Sequence, residues 1–193
     1  MKRIIGLTGG IATGKSTVAN YLATAYNLPI FDADIYARDA VSVGSPILQA
    51  IARRYGEQIL LTDNSLNRVK LGEIIFNQQA ERNWVEDLIH PYVLECFLNA
   101  ITEPISTGVF VIPLLLEAQM TNLVTEIWVV SCGEQQQLAR LMQRNHLTLA
   151  QAQARIYSQM PIAEKAARAD IILDNNSTKD ALLKQVDMAI TIL

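Results

Sequence analysis

Short apolar runs alternate with amphipathic segments along most of this chain. Five runs have the length and composition of strands, at 3–8, 28–31, 108–113, 125–130 and 169–174. Between and after them, apolar residues recur three and four positions apart, which is the spacing of a helix face. This alternation predicts an α/β protein built on a parallel sheet. The continuous apolar run at 108–113 is typical of a strand that is buried on both faces of such a sheet.

The segment from Ser45 to Ala100 has few strand signals. Its apolar residues form several helix faces separated by turn-forming residues, which predicts a helical insertion between the second and third strands. His90-Pro91 interrupts this segment, because Pro91 has no N–H and biases His90 away from helical geometry. From its position alone, His90 is interpreted as a residue at a helix end.

The stretch between the first strand and the first helix carries the clearest chemistry. Residues 9–17 read Gly-Gly-Ile-Ala-Thr-Gly-Lys-Ser-Thr and match G-x-x-x-x-G-K-[ST] without a mismatch. The glycines allow successive N–H groups to turn toward one anion, and the helix start adds a positive dipole end. We expect Lys15 to reach the terminal phosphates of a nucleotide and the Ser16 hydroxyl to ligate Mg²⁺.

Two carboxylates, Asp32 and Asp34, follow the second strand. Parallel sheets bind ligands at the carboxyl ends of their strands, where one acid can hold Mg²⁺ and the other can accept a proton from an acceptor hydroxyl. The alternative is that Asp34 caps a helix predicted at 35–43. The phosphate-binding loop favours the functional interpretation.

Candidate residues on the later strands are less specific. No aspartate ends the third strand, which leaves the metal and base roles to Asp32 and Asp34. Glu117, in the run Leu114-Leu115-Leu116-Glu117, either faces an acceptor or lies on the surface at a helix start. Asn175 follows the fifth strand, where it could meet a base ring or simply form a turn.

A helix predicted at 134–144 places Arg140 and Arg144 on one side, since they are four residues apart. A further helix at 150–160 is followed by Lys165 and Arg168. Such arginines suit the lid of a phosphoryl-transfer enzyme, where they neutralise charge that builds in the transition state. A solvated basic helix face explains the same spacing.

Composition narrows the class of protein. The chain has 193 residues, of which half are apolar and 18% are charged, and its net charge is −3. These values indicate one globular domain and argue against a nucleic-acid-binding surface. No apolar run is long enough for a membrane span or a signal peptide. Two isolated cysteines, Cys96 and Cys132, are typical of a reducing cytoplasm.

Taken in order, these motifs resemble the dephospho-CoA kinase family over nearly the whole chain. The resemblance is carried by Ile5 to Ile11, Asp32-Ala33-Asp34 with Ala37-Arg38, Ile89-His90-Pro91, Pro113 to Glu117, Arg140 with Gln143-Arg144, and Ala169-Asp170 with Asp174-Asn175. It implies a P-loop kinase fold, with a five-stranded parallel sheet, flanking helices, a helical region that binds the substrate and a lid. The implied reaction phosphorylates the ribose 3′-hydroxyl of dephospho-CoA with ATP.

The resemblance also implies the roles of single residues. ATP would be held by Gly9, Gly10, Ala12, Thr13, Gly14, Lys15, Ser16, Thr17, Arg140 and Asn175. Lys15, Asp34 and Arg140 would be catalytic, with Asp34 as the base or acceptor-orienting residue. The acceptor side would include Asp34, His90, Pro91, Leu114 and Glu117, and Mg²⁺ would be held by Ser16 and Asp32.

The resemblance implies one kinase domain over 1–193, with a core at 1–44 and 105–193. The helical CoA-binding region would span about 45–104 and the lid about 140–168. The substrates would be ATP and dephospho-CoA in the cytoplasm, without a nucleic acid, a membrane or an obligate protein partner.

The chain departs from the family pattern at Ala12-Thr13, where Gly-Ser is usual. A positive φ at Ala12 would cost roughly 1 kcal/mol, because the side chain resists that conformation.

Three other classes of nucleotide-binding protein share parts of this pattern. A P-loop kinase for a nucleoside monophosphate or shikimate would share Asp-x-Asp, and only its acceptor separates it. A GTP-binding switch needs Asn-Lys-x-Asp and Asp-x-x-Gly, which the sequence lacks. A non-catalytic nucleotide-binding module would leave the acids and arginines without a role.

Overall fold

The computed structural model describes residues 2–191, which form two compact units. One unit contains residues up to Asp32 together with those from Pro104 onward, and the other contains Ala33–Glu103. The second unit is the helical insertion, and it begins at the residue after Asp32, earlier along the chain than the predicted position near 45.

The first unit is built on a five-stranded sheet in the order β2-β3-β1-β4-β5, in which every neighbouring pair is parallel. The predicted five-stranded parallel sheet is therefore confirmed. The strands are β1 (Arg3–Gly9), β2 (Ile30–Asp32), β3 (Thr107–Val111), β4 (Glu126–Ser131) and β5 (Ile171–Asp174).

Helices connect and follow the strands, with short 3₁₀ turns at Glu57–Ile59 and Thr121–Leu123. They are α1 (Lys15–Tyr26), α2 (Ala33–Asp39), α3 (Pro46–Tyr55), α4 (Arg68–Asn77), α5 (Gln79–Thr102), α6 (Glu134–Asn145), α7 (Leu149–Tyr157), α8 (Ile162–Ala166) and α9 (Lys179–Thr191). The predicted final helix continued to Leu193, which lies outside the described residues. None of the helices within residues 2–191 combines the length and the apolar character that a membrane crossing requires.

The core of the first unit follows from the alternation of side chains along its strands. Ile5 and Leu7 of β1 lie on the same face as Val109 and Val111 of β3 and pack with them in one buried cluster. Helices α1 and α9 cover this face with residues such as Leu22. Because β1 is the central strand, with β3 on one side and β4 on the other, the loop that follows it starts at the middle of the carboxyl edge of the sheet.

Two interpretations of helix ends differ from the structure: the alternative in which Asp34 caps a helix, and the interpretation of His90 as a helix-end residue. Asp34 does not cap a helix at 35–43, because α2 starts at Ala33 and Asp34 lies inside its first turn. His90 is not a helix end, because α5 runs through Pro91 without interruption. Proline removes one hydrogen bond, but Val93 and Phe97 on the same helix are buried, and this packing outweighs the local preference.

An ion-pair cluster ties α3 to α5 in the second unit. The Arg54 Nε and Nη2 groups donate to the two carboxylate oxygens of Glu81 at 2.7 and 2.8 Å, and the Tyr55 hydroxyl donates to the same carboxylate. The Arg54 guanidinium lies 4.4 Å from the ring centre of Trp84, which orients it further. The hydrogen bonds from Arg54 and Tyr55 lower the pKa of Glu81 from 4.5 to about 2.

We predict that Glu81→Gln lowers the Tm at pH 7 and that this difference disappears in acid. A carboxylate with a lowered pKa stabilises the folded state above its ordinary pKa and loses that contribution as the pH falls through the folded value. The Tm difference between wild type and variant should therefore shrink between pH 4.5 and about 2. Thermal unfolding followed by circular dichroism measures it. Glu86→Gln, at an exposed position of α5, is the control, and an equal pH dependence there would contradict the assignment.

Candidate nucleotide-binding site

The loop between β1 and α1 is pressed closely against the ends of β4 and β5. At Gly9, with φ +145°, a Cβ would lie 2.3 Å from the carbonyl oxygen of Val130. At Gly14, with φ +111°, it would lie 2.3 Å from the side-chain nitrogen of Asn175. Neither position has room for a side chain, and both backbone conformations favour glycine. This explains both glycines that the motif requires.

Ala12 occupies the left-handed region with φ 59°. The usual glycine of the family would adopt this conformation freely, whereas alanine meets its own carbonyl oxygen, at a cost of about 1 kcal/mol. The departure seen in the sequence therefore carries a backbone strain at this position. The Ala12 side chain also lines the cleft described below.

The polar groups of the loop are ordered by contacts within it. The Lys15 ammonium donates to the carbonyl oxygens of Gly9 and Gly10 at 3.0 and 2.8 Å, so its side chain folds back over the loop. The buried Thr13 hydroxyl donates to the Gly10 carbonyl at 2.9 Å. Ser16 lies exposed in the first turn of α1, at the positive end of its dipole.

A cleft of about 270 Å³ lies beside the loop on the side of α6 and β5. It is lined by Ala12, Gly14, Thr17, Arg140, Asn175, Ser177, Lys179 and Leu182. Asn175 is buried and its amide donates to the Thr13 carbonyl at 2.7 Å, which ties the end of β5 to the loop. A concave site of this kind, next to an anion-binding loop, suits the nucleoside part of a nucleotide.

Arg140 and Arg144 differ in their surroundings although both belong to α6. The Arg140 Nη2 group donates to the Asn175 carbonyl at 3.2 Å, and its Nη1 is buried with no partner among residues 2–191. Burial raises the pKa of the nearby Cys132 thiol, although the Arg140 guanidinium acts in the opposite direction. Arg144 is exposed and bonds to the side chain of Asn145 at 2.9 Å. Of these two arginines, Arg140 faces the cleft and Arg144 does not.

Two glutamines that the sequence analysis did not single out hold the peptide groups of Ile11. The Ile11 N–H donates to Gln159 Oε1 at 2.8 Å, and the Ile11 carbonyl accepts from Gln137 Nε2 at 2.8 Å. Gln137 is buried on α6, and Gln159 follows α7. Apolar periodicity cannot find such residues, because a buried glutamine interrupts the pattern that marks a helix face.

Glu117 lies in a turn after β3 and not at a helix start. Its Oε1 atom pairs with the Lys165 ammonium at 2.8 Å and accepts the N–H of Met160 at 3.1 Å. Lys165 is fully buried and also donates to the Pro113 carbonyl at 2.9 Å. The neighbouring Leu114 is 43% exposed. Lys165 is therefore not part of a solvated basic face.

The candidate acids and the acceptor-side residues divide between the two units. Asp32 is the last residue of β2, at the carboxyl end of the sheet, and is half-buried. Asp34 is exposed in the first turn of α2, and His90 and Pro91 are exposed on α5. Within residues 2–191, no three side chains of His, Cys, Asp or Glu cluster as metal ligands. The oxygen donors Ser16 and Asp32 suit Mg²⁺, which is usually bound by one or two protein groups together with substrate phosphates.

A loop of this geometry, on the central strand of a parallel sheet and next to a cleft that an arginine faces, defines a P-loop nucleotide-binding protein. The family model described as dephospho-CoA kinase (CoaE) matches residues 3–180. The chain therefore belongs to this family, and its function is the ATP-dependent phosphorylation of dephospho-CoA, the last step of coenzyme A biosynthesis. The activity implied by the sequence motifs is thereby confirmed.

Similar proteins agree with this assignment. A dephospho-CoA kinase of Nostoc sp. is 74% identical over 190 residues, which cover 98% of this chain and 97% of the relative. The crystal structure of TT1252 from Thermus thermophilus has a TM-score of 0.85 at 26% identity and covers 100% of this chain and 98% of its own. A dephospho-CoA kinase from Campylobacter jejuni has a TM-score of 0.72 at 28% identity, with coverage of 98% and 96%.

We predict that Ala12→Gly stabilises the protein by about 0.5–1 kcal/mol, because glycine adopts the positive φ without strain. Urea unfolding measures the change. Ala154→Gly, at an exposed position inside α7, is the matched control and should lower the stability by about 1 kcal/mol. An equal loss in both variants would contradict the strain at Ala12.

Proposed function

We propose a specific role for each candidate site residue of this kinase. The observation that carries it is the buried Arg140 Nη1, which has no partner among residues 2–191 and belongs to a side chain that lines the nucleotide cleft. A buried cationic donor without an acceptor is costly, so an anionic ligand is the expected partner. The transferring phosphoryl group of ATP supplies such an anion.

On the ATP side, the backbone of Gly9, Gly10 and the residues from Ala12 to Thr17 cradles the phosphates, and Lys15 neutralises the terminal ones. Lys15 would exchange its present contacts with the Gly9 and Gly10 carbonyls for phosphate oxygens. Arg140 adds a second positive charge at the phosphates. Asn175 contacts the adenosine part of ATP in the cleft.

Mg²⁺ accompanies ATP in this proposal. The Ser16 hydroxyl and the Asp32 carboxylate are the protein groups that would hold it, because both are oxygen donors at the carboxyl end of the sheet. The ion supplies a positive charge that offsets the charge on the phosphates.

On the acceptor side, Asp34 orients the ribose 3′-hydroxyl of dephospho-CoA and takes its proton. The resemblance assigns acceptor binding to His90 and Pro91, in the CoA-binding region at about 45–104, and to Leu114 and Glu117, in the turn after β3. A lid at about 140–168 closes over ATP. These assignments rest on the family resemblance of the motifs.

The protein works with small-molecule substrates alone in the cytoplasm, without a nucleic acid, a membrane or an obligate protein partner. The net charge of −3 and the free cysteines Cys96 and Cys132 support this proposal.

Wild-type protein should form ADP from Mg·ATP with dephospho-CoA and not with AMP, CMP or shikimate, and omission of Mg²⁺ should abolish turnover.

Asp34→Asn should lower kcat about 10²-fold with an unchanged Kd for ATP, because the amide cannot take the proton. A coupled ADP assay and mass spectrometry of the coenzyme A product measure these effects. Turnover with another acceptor contradicts the specificity, and loss of ATP binding in the variant makes Asp34 a metal or structural residue.

Arg140→Ala should lower kcat about 10²-fold or more, because the cleft loses the donor that meets the developing charge. Arg144→Ala is the matched control on the same helix and should retain turnover, since that side chain is exposed. The coupled assay at saturating substrates compares them. A near-normal kcat for Arg140→Ala would remove this residue from the mechanism.

A further inference from the structure

The carboxylate of Glu117 is asymmetrically bound. Its Oε1 atom receives two donors, the Lys165 ammonium at 2.8 Å and the Met160 N–H at 3.1 Å. Its Oε2 atom is buried and has no hydrogen-bond partner among residues 2–191. Because a buried acceptor without a donor is costly, native proteins usually provide one or leave the atom to a ligand or a water.

The contacts of Lys165 with Glu117 Oε1 determine where the unpaired Oε2 atom of Glu117 points. Lys165 is fully buried at the end of α8 and is anchored by the Pro113 carbonyl at 2.9 Å as well as by Glu117. The Pro113 carbonyl also accepts the Thr8 hydroxyl, at 3.2 Å, so this anchor is joined to β1 just before the phosphate-binding loop. Lys165 thus fixes the carboxylate relative to the strand that carries the loop.

We propose that Lys165 is a positioning residue for the phosphoryl acceptor, which acts by directing Glu117 Oε2 toward a hydroxyl or amine donor of dephospho-CoA. The inference rests on the proposed placement of Glu117 at the acceptor site. Lys165 itself does not touch the substrate, because its ammonium is fully buried and faces Glu117 and Pro113. Its role is to keep one carboxylate oxygen occupied and the other available.

Glu117→Gln tests the free oxygen directly. Lys165 and the Met160 N–H are both donors, so they hold the amide oxygen at the Oε1 position and place the amide nitrogen where Oε2 was. An acceptor thereby becomes a donor with little change of shape. The KM for dephospho-CoA should rise about tenfold to a hundredfold, the loss expected for a hydrogen bond to a charged group, while the KM for ATP stays within about twofold.

Lys165→Met tests the positioning role. It removes the cation from Glu117 and should raise the KM for dephospho-CoA to a similar extent, again with little effect on ATP. Because both changes act on the same oxygen, the double variant should be no worse than the poorer single variant. Lys184→Met, at an exposed position of α9, is the matched control and should behave as wild type.

A merely structural role gives a different result. The effects of Glu117→Gln and Lys165→Met on the KM for dephospho-CoA would then multiply in the double variant. Alternatively, both KM values and kcat would change together with the Tm. Either outcome overturns the proposal. If Lys165→Met does not fold, Lys165→Arg replaces it, and its effect must appear in the wild-type background and vanish in Glu117→Gln. Wild-type turnover of dephospho-CoA tests the proposed function separately. An unchanged acceptor KM in Glu117→Gln, with wild-type activity present, refutes the inference alone.

Discussion

Close contact between the phosphate-binding loop and the ends of β4 and β5 is the constraint on which this site depends. A side chain at Gly9 or Gly14 would overlap the Val130 carbonyl or the Asn175 amide. The same closeness lets Asn175, which follows β5, donate to the Thr13 carbonyl, so the strand that borders the cleft also holds the loop. Loop shape and cleft position are therefore one property of the sheet, and a shift of β5 would alter both.

The sheet and the loop were predictable because their signals are local. A strand, a glycine-rich motif and a helix follow each other without interruption, and Gly9 and Gly14 have positive φ values that residues with a side chain resist. The ends of elements were less predictable. Pro91 marks a helix end by its local chemistry, yet α5 continues through it because Val93 and Phe97 are buried on the same helix. Tertiary packing decided this case, and a single sequence does not display packing.

The candidate site was predictable only in part, for the same reason. Arg140 and Arg144 carry the same charge and lie on one side of α6, four residues apart. Arg140 nevertheless donates to the Asn175 carbonyl, whereas Arg144 remains exposed. Sequence spacing gives the helix face and does not tell which member of a pair meets a neighbouring strand. Gln137 and Gln159 were not predictable, because their side chains bond to the backbone N–H and carbonyl of Ile11, which is far from them in the chain.

Burial of Lys165 constrains how a lid could move. Moving a lysine out of water is costly unless its charge is paired and its donors are used, and Glu117 and Pro113 meet that need here. The segment that begins at Gln159 is also bound to Ile11, so residues 159–165 are fastened to the core at both ends. A closing motion that carried this segment would break a buried ion pair and a contact to the loop. Within the lid proposed at about 140–168, we therefore infer that movement is confined to the residues between the end of α6 and Ser158. There α7 packs through the buried Ala152 and through the exposed hydrogen bond from Tyr157 to Glu134.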